Sequence, residues 1–394
     1  MTSLLPPVRL TGALCLIDGA LHDTDLTIAD GHLADMPGAD AADLSGYWLL
    51  PGIIDLHGDG FEHHLSPRPT APFDTGRALL AADAELATNG VTTAWFAQSW
   101  SWEGGTRSPD KAEEIMAAIA AQRAQFLTDI RLQIRFETHV TDGHDRLLRA
   151  LARYGVDYIA YNNHLPEALE QARDRPDRFA NWAASQGRTP QQLLDIIHAA
   201  KAHDPQVPDL LAALAPQLAG VGVQMASHDD GDAETRAFFR ARGARICEFP
   251  TTPNAARAAK DAGEPVLMGA PNVVRGGSQA GNIAAQDLIE DGLCDALVSD
   301  YYAPALALAA WALADRGVCS FSHAWEMIST SPARIFGLTD RGNLRAGQRA
   351  DLVIMNPATR RIEGTIANGQ IAHLSGGAAA RLMRPRTARA LAAE

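Results

Sequence analysis

With 394 residues, 46% hydrophobic and 21% charged, the chain has the composition of a globular protein and can bury a large core; a barrel enzyme with an appended module would fit this length. The formal net charge of −13 excludes a general nucleic-acid or anionic-membrane surface, so any anionic ligand must be met by locally placed cations. Cys15, Cys247, Cys294 and Cys319 show no C-x-x-C spacing, and there is neither a leader-like N-terminus nor an apolar run of membrane-spanning length, so the expectation is a cytoplasmic protein with reduced thiols.

Residues 8 to 50 alternate short β-type runs with Asp-Gly and Gly-Ala-Asp punctuation, which predicts a small antiparallel sheet. From Leu50 the pattern becomes apolar strand, polar loop, amphipathic helix, glycine, next strand. "RALLAADAELATNG" (77–90) leads into "VTTAWF", and the unit returns at "RLQIRFETH", "VDYIAYNNH", "GVQMASHDD", "RICEFPTT", "PVLMGAP" and "CDALVSD", most of these followed by an Ala/Leu-rich helix. Parallel strands need helical crossovers, so this repetition predicts an α/β fold, a (β/α)8 TIM-type barrel over 51–338. A polar helical insert with proline joints, at about 165 to 210, is expected as a lid or long loop. Beyond 339 the text reverts to β in "GNLRAGQRADLVIM" and "RIEGTIANGQIAHL". Residues 1–50 and 339–394 are therefore assigned to one small β-sandwich domain made from both chain ends and finished by a basic tail.

Active sites of such barrels sit at the C-terminal strand ends. There the chain places His57 and Asp59, Glu137, His164, His228 and Asp300. A lone strand-end histidine is usually a cap or loop hydrogen bonder. Six metal-competent groups on one rim are harder to dismiss. The i, i+2 spacing of His57 and Asp59 sends both to one side of a strand, and three imidazoles with three carboxylates suit a divalent ion, zinc first and manganese or iron next, with donors enough for a binuclear site.

"PGIIDLHGD", the strand-end Glu and His residues, "SD" at 299–300, "SPARIFGL" and the "G.L..G..ADLVIM" return together resemble the amidohydrolase superfamily. Within it, "HGDGFEHHLSPRP" (57–69), "SHDD" (227–230), "EFPTTPNAA" (248–256), "LMGAPNVVRGGSQAGN" (267–282) and "SDYY" (299–302) resemble the PhnM family of phosphonate metabolism, which hydrolyses α-D-ribose 1-methylphosphonate 5-triphosphate to the 5-phosphate and pyrophosphate. The resemblance implies that His57 and Asp59 hold a first metal, Glu137 bridges, His164 and His228 hold a second, and Asp300 binds metal and takes the proton of the attacking water. Glu62, His63 and His64 are expected to support the ligands or touch substrate phosphates.

In "VVRGGSQAGN", Gly276 and Gly277 would let backbone N–H groups approach a phosphate, beside Arg275 and Ser278; Arg68 is a further phosphate candidate. The competing account is a tight turn with Arg275 on a surface carboxylate. Asp229 and Asp230 would orient His228 or cap the helix of 232–243, and Trp95, Trp100 and Trp102 would line a pocket or pack under a loop. No serine-hydrolase elbow, phosphate-binding P-loop or H-E-x-x-H occurs. The expected partner is a small phosphorylated sugar, with no nucleic acid and no membrane; a homo-oligomer is left open. Segments 95–105 and 170–190 depart from the family pattern, so two alternatives stay open: an amidohydrolase acting on a C–N bond, and a paralogue with a different phosphorylated substrate.

Overall fold

The computed structural model describes residues 4–36, 39–68, 71–278 and 281–383, so the last part of the expected basic tail, 384–394, and Gln279 and Ala280 of the glycine loop lie outside the described residues. Eight strands, Ile53–Gly58, Val91–Trp100, Asp129–Glu137, Tyr158–Asn162, Gln224–His228, Ile246–Glu248, Val266–Gly269 and Ala296–Val298, pair in sequence order, each neighbouring pair parallel. The ends meet through a parallel bridge between Gly58 and Asp300, where Asp300 N–H donates to the His57 carbonyl at 3.0 Å and Asp59 N–H to the Asp300 carbonyl at 2.8 Å. The expected barrel is present.

Side-chain alternation explains its layers. On Asp129–Glu137, Ile130, Leu132, Ile134 and Phe136 face the helices, and Arg131, Gln133, Arg135 and Glu137 fall on the opposite side. The floor of the barrel is apolar, with Ile54, Leu56, Trp95, Tyr158 and Phe336 in one buried cluster. Trp95 and Trp100 are therefore packing residues, both fully buried.

The chain ends form two further sheets. One holds Val8–Thr11, Leu26–Ala29, His32–Ala34 and Asp40–Asp43; the other pairs Leu352–Asn356 with Trp48–Pro51 and extends to Leu14–Ile17, Ala20–Asp23, Arg361–Ala367 and Gln370–Leu374. A shared buried cluster including Leu10, Ile28, Leu49, Leu352 and Ile354 joins them. The N-terminal strands are not the simple antiparallel sheet expected. Val8–Thr11 runs parallel to Asp40–Asp43, and Leu14–Ile17 parallel to Trp48–Pro51, because segments remote along the chain pair here instead of adjacent hairpins alone.

The insert folds as helices Leu165–Asp174, Pro176–Ser185 and Pro190–Lys201, followed by Val207–Gly220. Thr189 and Gln192 form a reciprocal capping box at the third, and Leu165, Phe179, Leu193 and Ile197 give the insert a small core of its own. Trp102 packs against that core, and Arg188 Nη1 donates to the Glu103 carbonyl at 2.5 Å, which ties the insert to the barrel rim. No helix among the described residues is long and apolar enough to cross a membrane.

Candidate metal centre and active site

Three residues at the strand ends adopt the left-handed conformation that is costly without glycine: Asp229 (φ 60°), Phe249 (φ 50°) and Asp300 (φ 56°). Each keeps a ladder hydrogen bond, to the carbonyls of Glu248, Leu267 and His57 respectively. The backbone turns at the rim while staying anchored to the next strand. Asp55 adds a brace, accepting from Ser299 N–H at 2.9 Å, from Ser299 Oγ at 2.6 Å and from His57 N–H at 3.3 Å.

Two donor groups result. In the first, Glu248, fully buried, receives the Nδ1 atoms of His57 (3.1 Å) and His228 (3.2 Å) on one oxygen, and Gln133 Nε2 (2.6 Å) and the Tyr158 hydroxyl on the other. Burial alone would raise the Glu248 carboxyl; the two imidazoles overcome it and hold the carboxyl well below its usual range. Burial likewise opposes charging of His57, and Glu248 outweighs it to raise that imidazole, whereas burial and Arg135 keep His228 lowered. In the second group Glu137 binds His164 Nδ1 through Oε1, and its Oε2 accepts from Trp102 Nε1 at 3.2 Å and from His164 N–H at 3.3 Å. Burial opposes ionisation of Glu137, but His164 lowers it, while Glu137 raises His164 against the same burial penalty. Glu103, buried and paired with Arg107 Nη1 at 3.1 Å, completes the group.

In all three histidines a buried carboxylate takes Nδ1, so Nε2 is left as the lone-pair nitrogen. Two of those Nε2 atoms, of His164 and His228, lie 3.5 and 3.4 Å from Arg135 Nη2, whose neighbour Nη1 donates to Asp59 at 3.2 Å. The donors thus already converge on a positive charge. Ligand atoms of His57, His228 and Glu248 lie within 4.8 Å of one another, as do those of Glu103, Glu137 and His164. Imidazole nitrogen with carboxylate oxygen is a donor set that fits a divalent ion.

The six strand-end residues were expected on one rim, and the structure brings them to one region: His57, Asp59, His164, His228 and Asp300 line a cavity of about 810 Å³, with Glu137 against His164. Asp300, pressed by burial first and by Asp59 second, has its carboxyl pushed up to about 6. Arg275, Gly277 and Ser278 line the same cavity, and Arg275 Nη1 donates to the Tyr301 hydroxyl at 3.3 Å.

Other expected contacts lie elsewhere. Gly276 N–H donates to Val273 at 3.1 Å and Gly277 N–H to Asn272 at 2.9 Å, so this pair ends the helix Ala270–Arg275, Gly276 at φ 78°, and its amides are spent on that helix. Arg68 is exposed and off the cavity; His63 is exposed, and His64 pairs with Glu85 at 2.7 Å, because the short helix Glu62–Leu65 turns Phe61 and Leu65 inward. Asp229 does lie 3.5 Å from His228 Nε2, whereas Asp230 is buried with Arg236 and the helix Ala233–Arg240 is capped by Asp232.

Glu248, Glu103, Arg135 and Arg107 were not singled out from the sequence. Glu248 ends the strand in "RICEFPTT" and obeys the same strand-end rule as the six; Arg135 is two residues before Glu137, on the same face.

Residues 68–373 match the model of the amidohydrolase family, and the chain belongs to that family. It is a hydrolase, and the family's members generally work with a divalent metal. The α-D-ribose 1-methylphosphonate 5-triphosphate diphosphatase of Escherichia coli is 33% identical to it over 325 residues, covering 80% of this chain and 85% of that one. An adenine deaminase of Methylobacterium nodulans is 25% identical over 376 residues, 89% of this chain but 55% of the deaminase. Among solved structures, a putative prolidase from Bifidobacterium longum (TM-score 0.64, 14% identity, 95% and 97% of the two chains) and N-acetylglucosamine-6-phosphate deacetylase from Pasteurella multocida (TM-score 0.60, 11% identity, 93% and 99%) share the fold.

Proposed function

We propose that this hydrolase converts α-D-ribose 1-methylphosphonate 5-triphosphate to the 5-phosphate and pyrophosphate in phosphonate metabolism, as a cytoplasmic enzyme. The observation that carries the reading is the concentration of arginine at the mouth of a chain with a net charge of −13: Arg107, Arg135, Arg175, Arg178 and Arg275 all line the cavity that holds His57, His164, His228 and Asp300. Similarity to the E. coli diphosphatase supports it.

In this reading His57, Asp59, Glu137, His164, His228 and Asp300 hold divalent metal, zinc first, with Glu248 and Glu103 beside them. The ion, when bound, lowers the pKa of a water and neutralises charge on the phosphoryl oxygens. Asp300, anchored at the strand end beside His57, would take the proton of the attacking water as the water's oxygen attacks the α-phosphorus. The α–β phosphoanhydride bond breaks, and its electrons leave with pyrophosphate. Arg275 would neutralise the phosphates, and Glu248 and Glu137 would fix the histidine rings.

The similarity to an adenine deaminase keeps C–N hydrolysis as a second reading, since one water-activating site serves either chemistry. Metal-loaded protein incubated separately with the ribosyl triphosphate, nucleoside triphosphates, adenine and hydantoins decides between them. Pyrophosphate release from the ribosyl triphosphate about a hundredfold faster than any other turnover, roughly 2.7 kcal/mol of discrimination, is the expected result. Dominant release of ammonia or amine would replace the proposal with C–N hydrolysis.

A further inference from the structure

We infer that the helical insert supplies a polyanion-binding arm: Arg175 and Arg178, at the joint between two insert helices, together with Arg107 and Arg275 from the barrel loops, grip the departing pyrophosphate end of the substrate. The inference rests on the diphosphatase reading and goes beyond it, because it gives the insert a substrate-selecting role.

Arg175 closes the helix Leu165–Asp174 and opens Pro176–Ser185, and Arg178 lies three residues on, within the first turn of the second helix. Both are exposed and line the cavity, and among the described residues neither guanidinium forms an ion pair or a side-chain hydrogen bond. Arg146, Arg236 and Arg341, by contrast, each pair with a carboxylate. Across the cavity, Arg107 is held by Glu103 and Arg275 by Tyr301. These four cations stand at the rim with Glu167 and Glu170, while Asp59, Asp229 and Asp300 lie with the histidines. With Arg135 counted, the lining holds five arginines and five carboxylates; Arg175 and Arg178 come from the insert, while Asp59, Asp229 and Asp300 come from the barrel strand ends.

Such a division suits a substrate whose reacting phosphate sits over the donors and whose remaining phosphates reach outward. Planar guanidinium groups bind phosphate oxygens in pairs. The insert is also anchored for the task, through Arg188 on the Glu103 carbonyl and Trp102 against its core, so the arm is fixed to the rim.

The test titrates metal-loaded full-length protein with inorganic pyrophosphate and tripolyphosphate by calorimetry at low and high salt. The double variant Arg175→Ala/Arg178→Ala is compared with Arg175→Lys/Arg178→Lys, and melting temperature and metal content are followed in parallel. The alanine pair should weaken both ligands at least tenfold and flatten the salt dependence, with melting temperature and metal content unchanged, and the lysine pair should recover part of the affinity. Unchanged affinity in the alanine variant, beside clear binding by the wild type, would overturn the arm and leave the diphosphatase reading standing. Failure of the wild-type protein to bind either polyphosphate would likewise overturn the arm, and the diphosphatase reading would be decided by the turnover comparison alone.

Discussion

On one side of the barrel mouth, His57 and His228 are held by Glu248, and every group that touches this carboxylate, including Gln133 and Tyr158, comes from a barrel strand. On the other, Glu137 holds His164 with the help of Trp102, which lies on a loop and packs against the insert. The residue types match. Their supports differ: the first side is part of the fold's own framework, so it should be rigid and costly to damage, whereas the second is set partly by a segment that could vary without unfolding the barrel.

Removing Glu248 gives the harshest test of that difference. Glu248→Ala would leave two imidazoles and the fully buried Gln133 and Tyr158 without their shared acceptor. Loss of one member of such a buried network costs about 3–5 kcal/mol, to be read from denaturant unfolding of metal-free protein. A loss below about 1 kcal/mol would mean that the first side is no more structural than the second.

Glu137→Gln should act on metal more than on stability. Glu137 accepts hydrogen bonds on both oxygens, from His164 and from Trp102, and a glutamine can satisfy only one of them. Metal affinity should fall about 10–100-fold, measured by competition with a chromogenic chelator, with the barrel still folded. Unchanged affinity would show that His164 is oriented without it and that Glu137 does not contact the ion.

How much of this was legible in the sequence follows from what each feature depends on. His57, Asp59, Glu137, His164, His228 and Asp300 could be read because the strand ends are marked by polar residues after apolar runs, and the barrel does the rest. Glu248 was open to the same reasoning. Arg135 was not, in practice: an arginine inside a strand reads as facing solvent unless the barrel's polar upper layer is already known. The apparent phosphate loop misled, since a glycine pair serves equally well as a helix stop, and only the destinations of its N–H groups tell the two apart. His64 and Arg68 misled for a related reason, as proximity in sequence to His57 does not survive the turn of the short helix Glu62–Leu65. Arg175 and Arg178 sit on exposed helical surface, where no periodicity marks a functional residue.

Trp102→Phe isolates the smallest difference between the two sides. The change keeps an aromatic ring against the insert core and removes only the indole N–H that reaches Glu137 Oε2 at 3.2 Å. A hydrogen bond of this kind contributes about 1 kcal/mol, so metal affinity should drop by roughly fivefold while stability stays within about 0.5 kcal/mol of wild type. The loss should leave intact the side built on Glu248, whose partners His57, His228, Gln133 and Tyr158 all come from barrel strands. Chelator competition on variant and wild type would show the drop in metal affinity, and unfolding of the metal-free protein would be unchanged. Were the stability of the metal-free protein to fall as well, the two sides would be coupled through Arg135, which contacts Asp59, His164 and His228 together, and the division between framework and insert would have to be redrawn around that guanidinium.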